Sequence, residues 1–339
     1  PATVTLEQAA TQADPAKSAT IRFTLSSNEA LQTGSVTAAD FDATNGTIAS
    51  VSGTGSSYTV TVTAASDGAV RLAPSNDFSV LDIAGNAQTS AGGADRSVVY
   101  DSTSAVVTLE QAAGQADPAK NAAIAFTFSS NEALQTGSVT TSDFSATNGT
   151  VASVTGSGDT YTVTVTATAD GAVVLALSNT FSVLDIAGNA TTTAGGSDRT
   201  VVYDSTPATV TLTQAADQGD PTKTDAIRFT FSSNENLQAG SVTASDFEAT
   251  NATGVTVTGS GDTYTVTVTA TSDGAVSLAP SSSFSVLDIA GNAQTSVGGT
   301  DRTVTYDATS AVVTLTQAAG QADPAKNDSI AFTFSSNEA

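Results

Sequence analysis

The 339-residue sequence contains no cysteine, histidine, methionine or tryptophan, and only 10 Lys+Arg against 33 Asp+Glu. Without Cys or His there is no disulfide framework, no zinc or haem ligand set, and no Ser–His or Cys–His nucleophile pair. With a formal net charge of −23, the chain is repelled by nucleic acid and by anionic membrane surfaces. No run of 18 apolar residues offers a membrane span. What remains compatible is a hard cation such as calcium, which needs oxygen ligands only. Hydrophobic residues make up 39%, enough Val, Ile, Leu and Phe to build cores rather than an acidic disordered tail.

A repeat governs the organisation. Leu6, Leu109, Leu212 and Leu315 are spaced by 103 residues, and FSVLDIAGN recurs unchanged at Phe78–Asn86, Phe181–Asn189 and Phe284–Asn292. SSNE ends at Glu29, Glu132, Glu235 and Glu338, and YTVTVTA begins at Tyr58, Tyr161 and Tyr264. The copies align without a gap, which predicts repeats at 1–103, 104–206 and 207–309 and the first two strands of a fourth at 310–339. Pro1 corresponds to Pro207, inside a segment joining repeats, so the sequence is expected to be a piece of a longer array. A period this long suits a domain rather than a solenoid coil.

Each repeat reads as all-β. ATVTL (2–6), TIRFTL (20–25) and YTVTVT (58–63) alternate apolar and polar residues, the period of half-buried strands. Turn signals separate them at ADPAK, TNGT, GTGSS, SDG and AGG. Seven strands are predicted, near 2–8, 19–27, 36–43, 47–53, 57–64, 68–73 and 95–101. That number in about 100 residues matches an immunoglobulin-like β-sandwich. The expectation is a set of tandem sandwich domains arranged as an elongated rod. Phe23, Phe41, Phe78, Tyr58 and Tyr100 read as core residues, which, with no tryptophan, argues against an aromatic glycan platform.

At SSNEALQTGSVTAADF, TNGT, SGDTYTVTVTATADG and FSVLDIAGNA the chain resembles the bacterial immunoglobulin-like repeats of very large surface and secreted proteins, adhesins among them. The resemblance covers all three full repeats. It implies an extracellular or cell-surface location, a structural role as stalk, extender or biofilm-matrix component, and calcium at the joints. The G-G-x-G-x-D calcium repeat is absent; AGGADR, AGGSDR and VGGTDR are only superficially similar to it.

The strand order allows the acidic residues to be placed. The B–C and F–G connections lie at the pole where the chain enters a sandwich. Asp101, Glu132, Asp185 and Asn189 are therefore expected to converge on the joint between repeats one and two. Asp204, Glu235, Asp288 and Asn292 form the corresponding set at the next joint, and Asp307 with Glu338 at the third. Glu29, Asp82 and Asn86 would need a preceding linker to complete theirs. Carboxylates crowded in this way repel one another unless a cation sits among them, and Asp, Glu and Asn oxygens suit structural Ca2+. Asp117 and Asp170 could add to such a site from the opposite pole, although ADP and ADG are ordinary turn sequences. The D-x-A-G-N loop also reads as an Asx-turn, with Gly188 at positive φ.

Catalysis is not expected, because the same Glu and Asp recur in every repeat with no accompanying catalytic group. Lys17, Lys120, Lys223 and Lys326 recur once per repeat in a polar turn and read as solvated rather than as isopeptide donors. Asn45, Asn148, Asn189 and Asn251 match the glycosylation acceptor pattern, but in a Thr-rich β protein such matches arise by chance, and two or more of them read as turn asparagines. The alternating threonines read as the solvent face of twisted strands, not as an ice-binding array. The expected partners are neighbouring repeats of the same chain. The alternative function is a self-assembling subunit of a surface layer, sheath or extracellular filament, in which identical chains associate.

Overall fold

A computed structural model describes residues 2–338. The chain divides into two compact units, one ending at Asp204 and one beginning at Ser205. In the first unit, strands β1 (Val4–Gln8), β2 (Thr20–Ser27), β3 (Phe41–Thr44), β4 (Gly46–Thr54), β5 (Ser57–Ala64), β6 (Gly68–Pro74), β7 (Val80–Leu81), β8 (Ala87–Gln88) and β9 (Ser97–Tyr100) follow one another. One sheet has the order β1-β2-β5-β4 and the facing sheet the order β3-β6-β9. Lettered A to G without the small β7–β8 hairpin, this is ABED against CFG, the constant-type immunoglobulin topology. The same set follows as β10 (Val107–Gln111), β11 (Ala123–Ser130), β12 (Phe144–Thr147), β13 (Gly149–Ser157), β14 (Thr160–Ala167), β15 (Gly171–Leu177), β16 (Val183–Leu184), β17 (Ala190–Thr191) and β18 (Thr200–Tyr203).

The alternating sequence becomes alternating burial. Along β5, Tyr58, Val60 and Val62 point inward, the two valines fully buried, while the intervening threonines face out. They pair in register with Leu25, Phe23 and Ile21 of β2. Phe41 and Phe78 meet edge-on at 6.0 Å in the first core, and Phe128 packs on Phe144 at 5.5 Å in the second. Each such side chain contributes about 1.5–3 kcal/mol by leaving water.

Two expectations need correction. The strand predicted at 36–43 begins only at Phe41, because Thr37 and Asp40 close a 3₁₀ turn. The buried Asp40 carboxylate accepts from both the Thr37 amide (2.7 Å) and its hydroxyl (2.8 Å), which satisfies a charge the core could not otherwise hold. The seven predicted strands are joined by two short ones, because the F–G connection contains the β7–β8 hairpin that carries the D-I-A-G-N turn.

The glycine-rich AGG segment has a structural use. Gly92 bridges to Thr5, and its N–H and C=O bond to Val4 and Leu6, so the segment covers the free edge of β1. The Arg96 guanidinium clamps this strap through the carbonyls of Ala91 and Gly92. Arg199 does the same for Ala194 and Gly195 at 2.8 and 2.6 Å.

In the second unit, Val210–Gln214, Ala226–Ser233, Thr263–Ala270 and Ala252–Ser260 form the four-stranded sheet in that order. Phe247–Thr250, Gly274–Pro280 and Thr303–Tyr306 form the three-stranded one. The hairpin Val313–Gln317 and Phe332–Ser336 follows, with Leu315, Phe332 and Phe334 exposed. Among the described residues no helix is long and apolar enough to cross a membrane.

Candidate metal centre

Three segments of the first unit place their carboxylates together. Asp101 opens the segment between β9 and β10, and its amide donates to the Ala16 carbonyl (3.0 Å). Glu132 follows β11, in a turn where its amide donates to Ser130 Oγ at 3.4 Å. Asp185 starts the turn between β16 and β17 and bridges to Leu134. One carboxylate oxygen from each of these three residues lies within 4.8 Å of the others. The group can hold a metal ion. Its all-oxygen chemistry fits a hard cation.

Asp185 is fully buried, and its carboxylate is already well satisfied. Oδ1 accepts from the amides of Gly188 (2.7 Å) and Asn189 (2.9 Å), and Oδ2 accepts from the Asn189 side-chain amide (2.9 Å). Gly188 has φ +91°, which a side chain resists. The Asx-turn and the three-carboxylate cluster therefore coexist. Glu132 shows the electrostatic consequence. Partial burial, then the charges of Asp101, Asp185 and Asp67, push its carboxyl above the usual value.

The remaining expected ligands lie on equivalent elements. Asn189 belongs to the turn, but its amide nitrogen is committed to Asp185 Oδ2 and to the Asp101 carbonyl. Asn86 braces Asp82 in the same way, at 2.8 Å from its amide and 2.7 Å from its side chain. Among the described residues no third carboxylate joins Glu29 and Asp82, nor Asp307 and Glu338. In the second unit Asn292 braces the buried Asp288 at 2.8 and 3.0 Å. The Glu235 amide donates to Ser233 Oγ. Asp204 closes the first unit with its amide on the Ala119 carbonyl. Asp117 accepts from the Val202 amide at 2.8 Å, as a turn residue does.

Sequence reasoning missed two residues that organise the linker. Asp67, in the turn before β6, accepts from the amide and hydroxyl of Ser102 and from the hydroxyl of Thr103. Asn131 accepts from the Val106 amide at 2.7 Å. The linker is thus pinned from the preceding and the following sandwich. The recurrence of Asn in SSNE and of Asp before the β6 glycine was the available signal. The turn asparagines Asn45, Asn148 and Asn251 adopt φ of 54–57°, and the side-chain amide of each donates at 2.7 Å to a carbonyl 21 positions on, in the neighbouring turn (Ser66, Ala169 and Ser272).

Fold and cluster together define tandem immunoglobulin-like sandwiches with an acidic junction. No sequence family matches the chain, and no curated protein matches it. Solved structures that the chain matches include invasin, a bacterial integrin-binding protein, at 15% identity and TM-score 0.40, over 94% of this chain and 61% of that one. The Yersinia pseudotuberculosis adhesin InvE matches at 18% identity and TM-score 0.24, over 60% of each chain. Domains 4–9 of the surface layer protein SbsC match at 15% identity and TM-score 0.26, over 93% of this chain and 49% of that one. The chain therefore spans about half to three-fifths of the length of these structures.

Proposed function

We propose that the chain is a run of structural extender repeats from a large bacterial cell-surface or secreted adhesin-like protein, bounded near 103, 206 and 309, with calcium stiffening its joints. The observation that carries the reading is the meeting of Asp101, Glu132 and Asp185 where the linker, the B–C turn and the F–G hairpin converge. A cation bound there would contact the linker and the following sandwich at once, and by linkage would stabilise only the ordered joint. Asn189 serves as the brace of Asp185 and offers its remaining oxygen. By sequence equivalence the proposal extends to Asp204, Glu235, Asp288 and Asn292, to Asp307 with Glu338, and to Glu29, Asp82 and Asn86 once a linker precedes them. No catalytic role is proposed.

Calorimetric titration of the chelated chain with CaCl2 and MgCl2 tests this. Calcium is expected to bind in the range of about 0.1–1 mM typical of extracellular modules, and to raise Tm, with magnesium much weaker. Glu132→Gln combined with Asp185→Asn should abolish the response of this joint. No heat and no change in Tm at millimolar calcium would overturn the calcium reading. A chain that associates as concentration rises would instead favour the surface-layer or filament role.

A further inference from the structure

The recurring lysine, expected to be solvated, does something specific in the first unit. Ala16 is sewn to the exit strand: its amide donates to the Val99 carbonyl (2.8 Å) and its carbonyl accepts from the Asp101 amide (3.0 Å). Lys17 is therefore fixed beside the point where the linker begins. Its side chain is exposed, yet it crosses to the next sandwich, where Nζ donates to the Gly188 carbonyl at 3.2 Å. A Cβ built on Gly188 would lie 3.8 Å from both Cδ and Nζ of Lys17, so the stem as well as the ammonium rests on the turn. The Gly188 N–H is given to Asp185, so the turn is held by Asp185 from within its own sandwich and by Lys17 from the preceding one. Among the described residues no carboxylate lies within 4.0 Å of this ammonium. The lysine is thus committed to a carbonyl in a chain that has only ten cations, four of them this residue in successive repeats.

We propose that Lys17 is a metal-independent latch between the first two repeats, whose receptor is the D-I-A-G-N turn of the following repeat. The turn then has two uses: it presents Asp185 to the acidic junction, and its carbonyl receives the preceding repeat. The latch does not depend on the calcium reading. It holds the junction in chelator, where the carboxylates repel one another. Lysine suits the task because its ammonium is a charged donor on a long stem that can cover apolar surface on the way.

The absence of cysteine allows a clean test on the full chain. Spin labels are attached at Ser52→Cys and Thr155→Cys, exposed and equivalent positions in the two repeats. The distance distribution is then measured in EGTA for the parent chain, Lys17→Met and Lys17→Arg. Met keeps the stem and loses the donor; Arg keeps a donor. Lys17→Met is expected to broaden the distribution and raise the minor open population roughly two- to five-fold, as loss of one exposed charged contact allows. Lys17→Arg should stay close to the parent. An unchanged distribution for Lys17→Met in EGTA overturns the latch, whatever the outcome of the calcium titration. Equal broadening by Met and Arg, with unchanged Tm, overturns the donor role as well.

Discussion

Asn189 reaches back 88 positions to donate its side-chain amide to the Asp101 carbonyl at 2.9 Å while the same nitrogen braces Asp185. One amide thus ties the start of the linker to the turn that carries the buried carboxylate. Thr191 extends the tie with a hydroxyl bond to the Ala105 carbonyl at 2.5 Å. Much of the order in the junction is therefore built from ordinary hydrogen bonds, on which any cation acts.

Replacing Asn189 separates the brace from the charge. Asn189→Ala removes bonds to a carboxylate and a carbonyl and is expected to cost about 1–2 kcal/mol in EGTA. Asn189→Asp loses the same donors and adds a carboxylate to the cluster, so it should fall a further ~1 kcal/mol below the alanine variant. Calcium should reverse that order, since the extra oxygen becomes a ligand. Thermal melts of both variants with and without calcium check this; an aspartate variant that calcium does not rescue counts against a cation at the junction.

The titrating groups divide into two opposed sets. Glu132 lies above its ordinary 4.5, first because of burial and then because of neighbouring charges. Its ionisation costs stability above pH 4.5, and that cost fades as pH falls through the folded value. Asp67 is held below its ordinary 3.8 by Thr103 and then Ser102, Asp82 by Asn86, and Asp273 by the Ala308 amide and then Thr309. Their contribution is fully present above 3.8 and is lost as pH falls through the lower folded values. In EGTA, Tm should therefore rise as pH is lowered from neutral toward the ordinary glutamate value of 4.5, and fall once it passes below the ordinary aspartate value of 3.8. Glu132→Gln should remove the rise and leave the acid-side fall intact.

Asp67 makes a prediction confined to the linker. Asp67→Ala strips Ser102 and Thr103 of their shared acceptor while leaving both cores untouched. Hydrogen exchange should speed up at the Ser102 amide, with little change at the Val60 and Val163 amides inside the sheets. Unaltered exchange at Ser102 would mean that the linker is ordered from the following sandwich alone.

The strands were readable because burial follows the alternation: Tyr58, Val60 and Val62 could only face one core. The convergence of Asp101, Glu132 and Asp185 was readable because the ABED/CFG order assigns each connection to a pole. The missed features are of two kinds. The Thr37–Asp40 turn is local, and its T-x-x-D spacing was a legible cap signal overlooked within an expected strand. The partners of Asp67 and Lys17 lie 35 and 171 positions away, and they depend on how one sandwich meets the next, which no periodicity encodes.

The AGG strap supplies a test of the fold that is independent of any metal. Gly195 and Gly196 are neighbours, but only one has room for a side chain. At Gly196 φ is +97°, and an added Cβ would collide with the Leu109 carbonyl oxygen of β10. At Gly195 the nearest atoms to such a Cβ are Thr108 Cγ2 at 3.6 Å and the Val107 carbonyl oxygen at 3.7 Å, ordinary contacts. Backbone cannot yield as a flexible side chain can, so Gly196→Ala must push the strap off the edge of β10 or strain it. It should cost about 2–4 kcal/mol, against less than about 1 kcal/mol for Gly195→Ala. Urea unfolding of the two variants measures the difference. Because the strap shields a free strand edge, Gly196→Ala should also self-associate before it unfolds. Equal stabilities for the two variants would mean that the strap is not held against β10 in solution.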